Sequence, residues 1–144
     1  MDRTMENCAF CRIITGQSSA YIVFENQNSI AFLDSKPLFP GHVLLIPKDH
    51  TSILSELPDQ QIGPFFVTVR NLSTAVEKAM NAQGSFIALN NRVSQSVPHL
   101  HVHIVPRNRG DGLRGFFWPR KSYKNEAEMN EVVKRIKAAI AELN

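Results

Sequence analysis

The sequence predicts an α+β fold with an antiparallel sheet, and three observations predict it. Short β-rich runs are separated by turn residues. Two longer stretches carry apolar residues at helical steps. One segment alternates histidine with aliphatic residues. Strands joined in hairpins, with helices set apart from them, read as α+β rather than as alternating β-α-β units. The 144 residues fit one domain, 1–144, which is long enough to bury a sizeable core. Apolar content of 43% and charged content of 20% are those of a globular chain,. A net charge of +3 is no argument for nucleic acid as a partner,. No stretch reaches the ~18–20 apolar residues of a membrane helix. The first seven residues lack the apolar core of a secretion signal,. The expectation is a cytoplasmic protein with no membrane partner.

Residues 1–7 read as a loose arm. Cys8–Thr15 reads as a short helix, with Phe10, Ile13 and Ile14 apolar and Gly16 as its stop,. Ala20–Glu25 and Ser29–Leu33 flank Asn26-Gln27-Asn28 and predict a hairpin,. Residues 34–41 hold turn formers, and His42–Pro47 is an apolar strand,. Residues 59–81 form the clearest helix, with Ile62, Phe65, Phe66, Val69, Leu72 and Val76 at three- and four-residue steps,. Gly63-Pro64 lies in its first turns and predicts a frayed or shifted start,. Ser85–Asn90 and His99–Val105 are further strands. Residues 107–123 are rich in Gly, Arg and Pro and read as a loop. Residues 126–143 form a closing amphipathic helix with Met129, Val132, Val133, Ile136 and Ile140 on one side.

The chemistry centres on His99-Leu100-His101-Val102-His103-Ile104-Val105. Three of the five histidines fall within five residues, at alternate positions. In a strand such positions share one face, so the three imidazoles line one side while Leu100, Val102 and Ile104 enter a core. A solvated strand face that happens to carry histidine is the plain alternative. A row of imidazoles suits proton transfer, nucleophilic attack or metal ligation, and the triplet alone leaves metal site and catalytic site both open.

This run resembles the histidine-triad (HIT) signature, His-φ-His-φ-His-φ-φ with φ apolar. The resemblance extends to Gln95-Ser96-Val97, Asn90-Asn91, Pro40-Gly41-His42 through Lys48, and Ala31-Phe32-Leu33-Asp34, in the family's order. It implies a half-barrel-like antiparallel sheet of five to six strands that pairs with a second copy as a homodimer. It also implies a nucleotide hydrolase or transferase acting on an α-phosphate bond of an adenine-type nucleotide. His101 would be the nucleophile, its other ring nitrogen held by a backbone carbonyl. His103 would donate to the phosphate, and Ser96 and Gln95 would serve the phosphate or the leaving group. His42 would support the triad. Asp34 would meet the ribose hydroxyls, Phe32 and Leu33 the base, and Asn90 or Asn91 the phosphate side. Asp34 as a turn or cap residue is the lesser alternative, and Phe32 as ordinary core an equal one. A glycine usually precedes Gln-Ser-Val in the family, and here Ser94 stands in its place,. The third triad position is histidine, which disfavours the uridylyltransferase branch, where it is glutamine.

Cys8-x-x-Cys11 has the spacing of a metal knuckle and needs two more ligands, for which His50 and His99 are the candidates,. This resembles a microbial subset of the family with a structural zinc ion. Two buried thiols packed as small hydrophobes are the alternative. In family members that split dinucleoside polyphosphates the C-terminal part shapes the leaving-group side. The arginines and aromatics of residues 107–120 tilt the expected substrate from nucleoside phosphoramidates towards dinucleoside polyphosphates. A nucleotide sensor without turnover, and single-strand binding by that loop, are the competing classes.

Overall fold

A computed structural model describes residues 3–113 and 120–143. The chain divides into two compact units, Met1–Asp111 and Gly112–Asn144. The first unit runs α1 (Arg3–Glu6), α2 (Ala9–Ile14), β1 (Ile22–Glu25), β2 (Ser29–Leu33), β3 (Val43–Pro47), a 3-10 turn at Leu54–Glu56, α3 (Asp59–Ala79), β4 (Gly84–Leu89) and β5 (Val102–Arg107). The strands form one antiparallel sheet in the order β1-β2-β3-β5-β4. The fold is the expected α+β, with five strands.

The hairpin is closed by Asn26, whose Oδ1 accepts from the N–H groups of Asn28 and Ser29 at 2.9 and 2.8 Å,. Strands β2 and β3 pair in unbroken register from Ser29↔Pro47 to Leu33↔Val43. Their side chains divide by parity. Ala31, Val43 and Leu45 join Leu100, Val102 and Ile104 in a core with Phe65, Val69, Leu72 and Val76 of α3. Ile30, Phe32, Leu44 and Ile46 join Phe10, Cys8 and Cys11 on the opposite face. Both faces are covered, which is why β3 reads as a continuous apolar run rather than as an alternating one.

Four points differ from the sequence reading. The arm contains a helical turn, α1. The long helix starts cleanly at Asp59 and runs through Gly63-Pro64 without fraying. The ladder of β5 begins at Val102, not His99, so of the three histidines only His103 lies in the strand. Arg107 is the last residue of β5, not loop, and its guanidinium donates to Asp111 at 2.6 and 3.0 Å. Arg114, Phe116, Phe117, Trp118 and Pro119 lie outside the described residues.

The second unit holds α4 (Glu126–Glu142). Asn125 caps it by accepting from the Glu128 N–H at 2.8 Å, and Glu128 reaches back to accept from the Lys124 N–H at 3.1 Å,. Met129, Val133, Ile136 and Ile140 form its exposed apolar stripe.

Residues 91–94 lead towards the triad through two non-glycine residues in the left-handed region, Arg92 at φ 69° and Ser94 at φ 61°. Ser94 thus keeps the backbone conformation glycine would give, at a steric cost. Ser94→Gly should raise stability by about 0.5–1 kcal/mol, the relief of the left-handed strain less glycine's entropy in the unfolded chain. Urea unfolding followed by far-UV circular dichroism measures it; an unchanged or lower midpoint contradicts the strain.

Candidate active site and metal centre

Upstream of its ladder, the triad segment draws its hydrogen bonds from the last residue of β3 and the chain just after it. Gln95 Nε2 donates to Ser52 O (2.6 Å), His99 Nε2 to Pro47 O (2.8 Å) and Leu100 N to Thr51 O (2.6 Å). Alternation of side chains nevertheless persists. Leu100, Val102 and Ile104 are buried in the α3 core. On the other side, the His101 and His103 rings lie 5.0 Å apart, and Phe10 packs edge-on against both His99 and His101.

Each ring nitrogen of the two pocket histidines has an assignable role. His101 Nδ1 donates to the His99 carbonyl at 2.7 Å. A neutral His101 therefore carries its free lone pair on Nε2. For His103 the assignment starts two residues away in space. The Leu38 N–H donates to His42 Nδ1 at 3.1 Å, so the proton of a neutral His42 sits on Nε2,. That Nε2 lies 2.9 Å from His103 Nδ1 and donates to it. The proton of His103 is thereby placed on Nε2, as a donor. Burial pushes the His103 pKa down to about 4, helped by the His101 and His42 rings and opposed by Asp34. Burial also lowers that of His42, against the pull of Asp34. Both rings are neutral near pH 7, as the relay requires.

A cavity of about 610 Å³ opens onto His101 and His103, within the range of small-molecule sites,. Phe32, Leu33, Asp34 and Ser96 line it as well. Asp34 serves two ends: its Oδ1 accepts from the Lys36 N–H at 2.9 Å as a turn residue, while Oδ2 lies 3.6 Å from His42 Nε2. Phe32 is both core and lining, 4% exposed and packed edge-on against Phe10. Ser96 lines this cavity and a second one of about 480 Å³ beside Asn7, His50 and Ser52.

Three predicted residues lie outside the cavity lining: His42, which stands behind His103, Gln95 and Asn90. Gln95 has both ends of its amide engaged, Nε2 on Ser52 and Oε1 accepting from the Arg92 N–H at 2.9 Å. Asn90 is half-buried at the end of β4 and its side chain makes no hydrogen bond among the described residues. Asn91 is spent on the Leu54 N–H at 3.0 Å, which leaves Asn90 as the uncommitted amide. Sequence reasoning missed Phe10, Ser19 and Tyr21 as cavity residues. The helical spacing around Phe10 signals core and carries no sign that its ring also meets the triad.

Among the described residues two groups bring three or more ligand atoms within 4.8 Å of one another. The first is Cys8, Cys11, His50 and His99. Cys8 Sγ lies 3.4 Å and Cys11 Sγ 3.6 Å from His99 Nδ1, and Cys11 Sγ lies 3.2 Å from His50 Nδ1. Bonds of ~2.3 Å to sulfur and ~2.0 Å to nitrogen give tetrahedral edges of about 3.3–3.8 Å, so this donor set fits a closed zinc site. His99 Nε2–H on Pro47 O turns the Nδ1 lone pair towards the thiols, the usual outer support of a histidine ligand,. With no ion, burial and its neighbour Cys8 push the Cys11 thiol up to about 12, and burial pulls His99 down to about 4.

The second group is Asp34, His42 and His103. His42 Nε2 could ligate only if its proton moved to Nδ1, where the Leu38 N–H already points. Two donors would then face each other. This group is a hydrogen-bond relay and not a metal cage.

The HIT domain model matches residues 15–110. The chain belongs to the HIT family. An uncharacterized HIT-like protein of Methanocaldococcus jannaschii is 39% identical, over 90% of this chain and 98% of its own length. An adenylylsulfatase of Arabidopsis thaliana is 32% identical, over 97% and 73%. An asymmetrical bis(5'-nucleosyl)-tetraphosphatase of Schizosaccharomyces pombe is 37% identical, over 75% and 60%. Among solved structures, a Streptococcus mutans protein superposes with a TM-score of 0.84 at 30% identity, covering 97% of this chain and 89% of that one. A Zn-bound histidine triad family protein from Mycobacterium smegmatis does so with a TM-score of 0.72 at 29% identity, covering 94% and 99%. The HIT-like α+β fold is thus shared across the chain.

His103 gives this HIT chain one part of its acid response, alongside the buried His99 and His42, which are shifted in the same direction. In the folded chain His103 takes up a proton only near pH 4, whereas an unfolded histidine does so near ~6.5. The unfolded state binds more protons across that window, so stability is lost as pH falls from about 6.5 to about 4. In His103→Gln the contribution is absent, and the fall in urea midpoint over this range should be shallower than in the wild type. An equal slope in both proteins would contradict the assignment.

Proposed function

We propose that this HIT chain is a nucleotidyl hydrolase or transferase. It cleaves the α-phosphate bond of an adenine-type nucleotide, a dinucleoside polyphosphate or a nucleoside phosphoramidate, through a covalent nucleotidyl-His101. The observation that carries the reading is the His101 ring, tied by Nδ1–H to the His99 carbonyl with its Nε2 lone pair free beside a neutral His103 donor. Imidazole in this state is a competent nucleophile.

The lone pair on His101 Nε2 forms the N–P bond. The bond from phosphorus to the leaving group breaks, and the leaving group departs with its electron pair and takes a proton from Ser96 or from solvent. His103 Nε2–H donates to a phosphate oxygen as charge develops there. Ser96, at the cavity edge, donates to the phosphate or to the departing atom. Water then attacks phosphorus, the N–P bond breaks with its electron pair returning to His101, and the proton of the water passes to solvent, or back to Ser96 where that residue gave one up. Asp34 receives the ribose hydroxyls, and Phe32 and Leu33 border the base. Gln95 acts through the loop it fastens to Ser52, and Asn90 offers its amide on the phosphate side. Names among the relatives, an adenylylsulfatase and a bis(5'-nucleosyl)-tetraphosphatase, support chemistry at a nucleotide phosphate.

The same reading takes the Cys8, Cys11, His50 and His99 group as a structural zinc site, a homodimer as the working form and the cytoplasm as the location. The zinc-bound relative and the two free cysteines are consistent with it,.

AMP release from adenosine phosphoramidate and from diadenosine tri- and tetraphosphate, followed by chromatography, tests the function. Wild type should release AMP, His101→Ala should fall to background, and His103→Ala should lose about 10²–10³-fold in kcat. AMP binding with no turnover by wild type would replace the enzyme with a nucleotide sensor. The zinc reading predicts one equivalent of zinc per chain in wild type and its loss in Cys11→Ser, by metal analysis after dialysis; equal zinc content in both would overturn it.

A further inference from the structure

The main-chain carbonyl that orients His101 belongs to the peptide unit between His99 and Leu100. Nothing in the sheet fixes that unit, because the ladder of β5 begins only at Val102. Its two sides are held elsewhere. On one side is His99 itself, completely buried and a member of the Cys2His2 group. On the other, the Leu100 N–H donates to the Thr51 carbonyl at 2.6 Å, and Thr51 follows His50, the fourth member of that group. The ring that packs on His101 comes from the same place. Phe10 lies between Cys8 and Cys11 on α2 and meets His101 edge-on with centroids 5.2 Å apart. The carbonyl, the peptide N–H and the packing ring that restrain His101 thus all lead back to the four metal-ligating positions. His103 is anchored independently, through His42 to the Leu38 N–H.

We propose that the Cys8–Cys11–His50–His99 centre is the positioning element of the nucleophile, holding the 99–100 peptide so that His101 stays in its Nδ1–H tautomer with Nε2 open to the substrate. His99 and His50 are positioning residues here, acting on the reacting atoms through His101. The kinetic arm of the test rests on the proposed activity; the spectroscopic arm rests only on the zinc site, and a chain that takes up no zinc overturns the proposal.

Long-range 1H–15N correlation of the ring nitrogens reads the tautomers directly, in the full chain loaded with zinc and after removal of the ion by a chelator, with zinc content measured in parallel. In the loaded chain His101 should show a single Nδ1–H form and His103 a single Nε2–H form. After removal His101 should become a mixture of both tautomers while His103 keeps its own. His50→Cys, which preserves a four-ligand set, should retain zinc and the His101 tautomer. In turnover, metal removal should lower kcat by up to about 100-fold, the scale of misplacing a reacting group, with KM little changed. A single Nδ1–H form of His101 in the zinc-free chain overturns the proposal. So does simultaneous loss of both tautomers, since the ion would then hold the whole fold rather than the nucleophile. A chain that turns over no nucleotide removes the proposed function but leaves the tautomer result to decide this inference.

Discussion

Between His99 and Ile104 successive side chains leave the main chain in opposite directions, and each direction meets a different medium. Leu100, Val102 and Ile104 enter the core beneath α3, with exposures of 0–1%. The imidazoles emerge on the side shared with α2 and the cavity. A shift of one residue in register would exchange the two sets, placing the rings in the hydrocarbon beneath α3 and aliphatic side chains against the thiols and the cavity,. The apolar residues therefore fix the chemistry: burying Leu100, Val102 and Ile104 is what presents the histidines.

That constraint explains what could be read without coordinates. Alternation is a local property, and the strands, the long helix and the grouping of Cys8, Cys11, His50 and His99 all follow from spacing or from resemblance. Asp34, Phe32, Leu33, Ser96, His101 and His103 do meet around one cavity. What could not be read depends on partners far along the chain. Which amide near residue 90 stays uncommitted depends on Leu54, 37 residues from Asn91, whose N–H engages the Asn91 side chain. Gln95 is claimed by Ser52, 43 residues away. The start of β5 is set where residues 47–52 take over the hydrogen bonds that β3 would otherwise supply. Spacing carries none of this, because the competing donors and acceptors are backbone groups that every residue has.

Two kinds of order coexist in the triad. His101 is held through main-chain geometry that converges on the four Cys and His side chains. His103 is held through a chain of side-chain hydrogen bonds that ends on a single amide. The first depends on donor chemistry, and the residue types that build it are conspicuous. The second depends on an amide proton and leaves almost no trace in residue type.

The terminus of that second chain is Leu38, which follows Pro37 and whose side chain is half exposed. Its contribution is one N–H, common to nineteen of the twenty amino acids and absent only in proline. The protonation pattern of a ring inside the cavity is thus written at a surface turn, in an alphabet of two letters: a secondary amide or a tertiary one. Side-chain chemistry at position 38 can drift widely with the relay intact, whereas moving the ring of Pro37 one place along the chain would leave His42 without a donor at Nδ1 and His103 without a fixed proton.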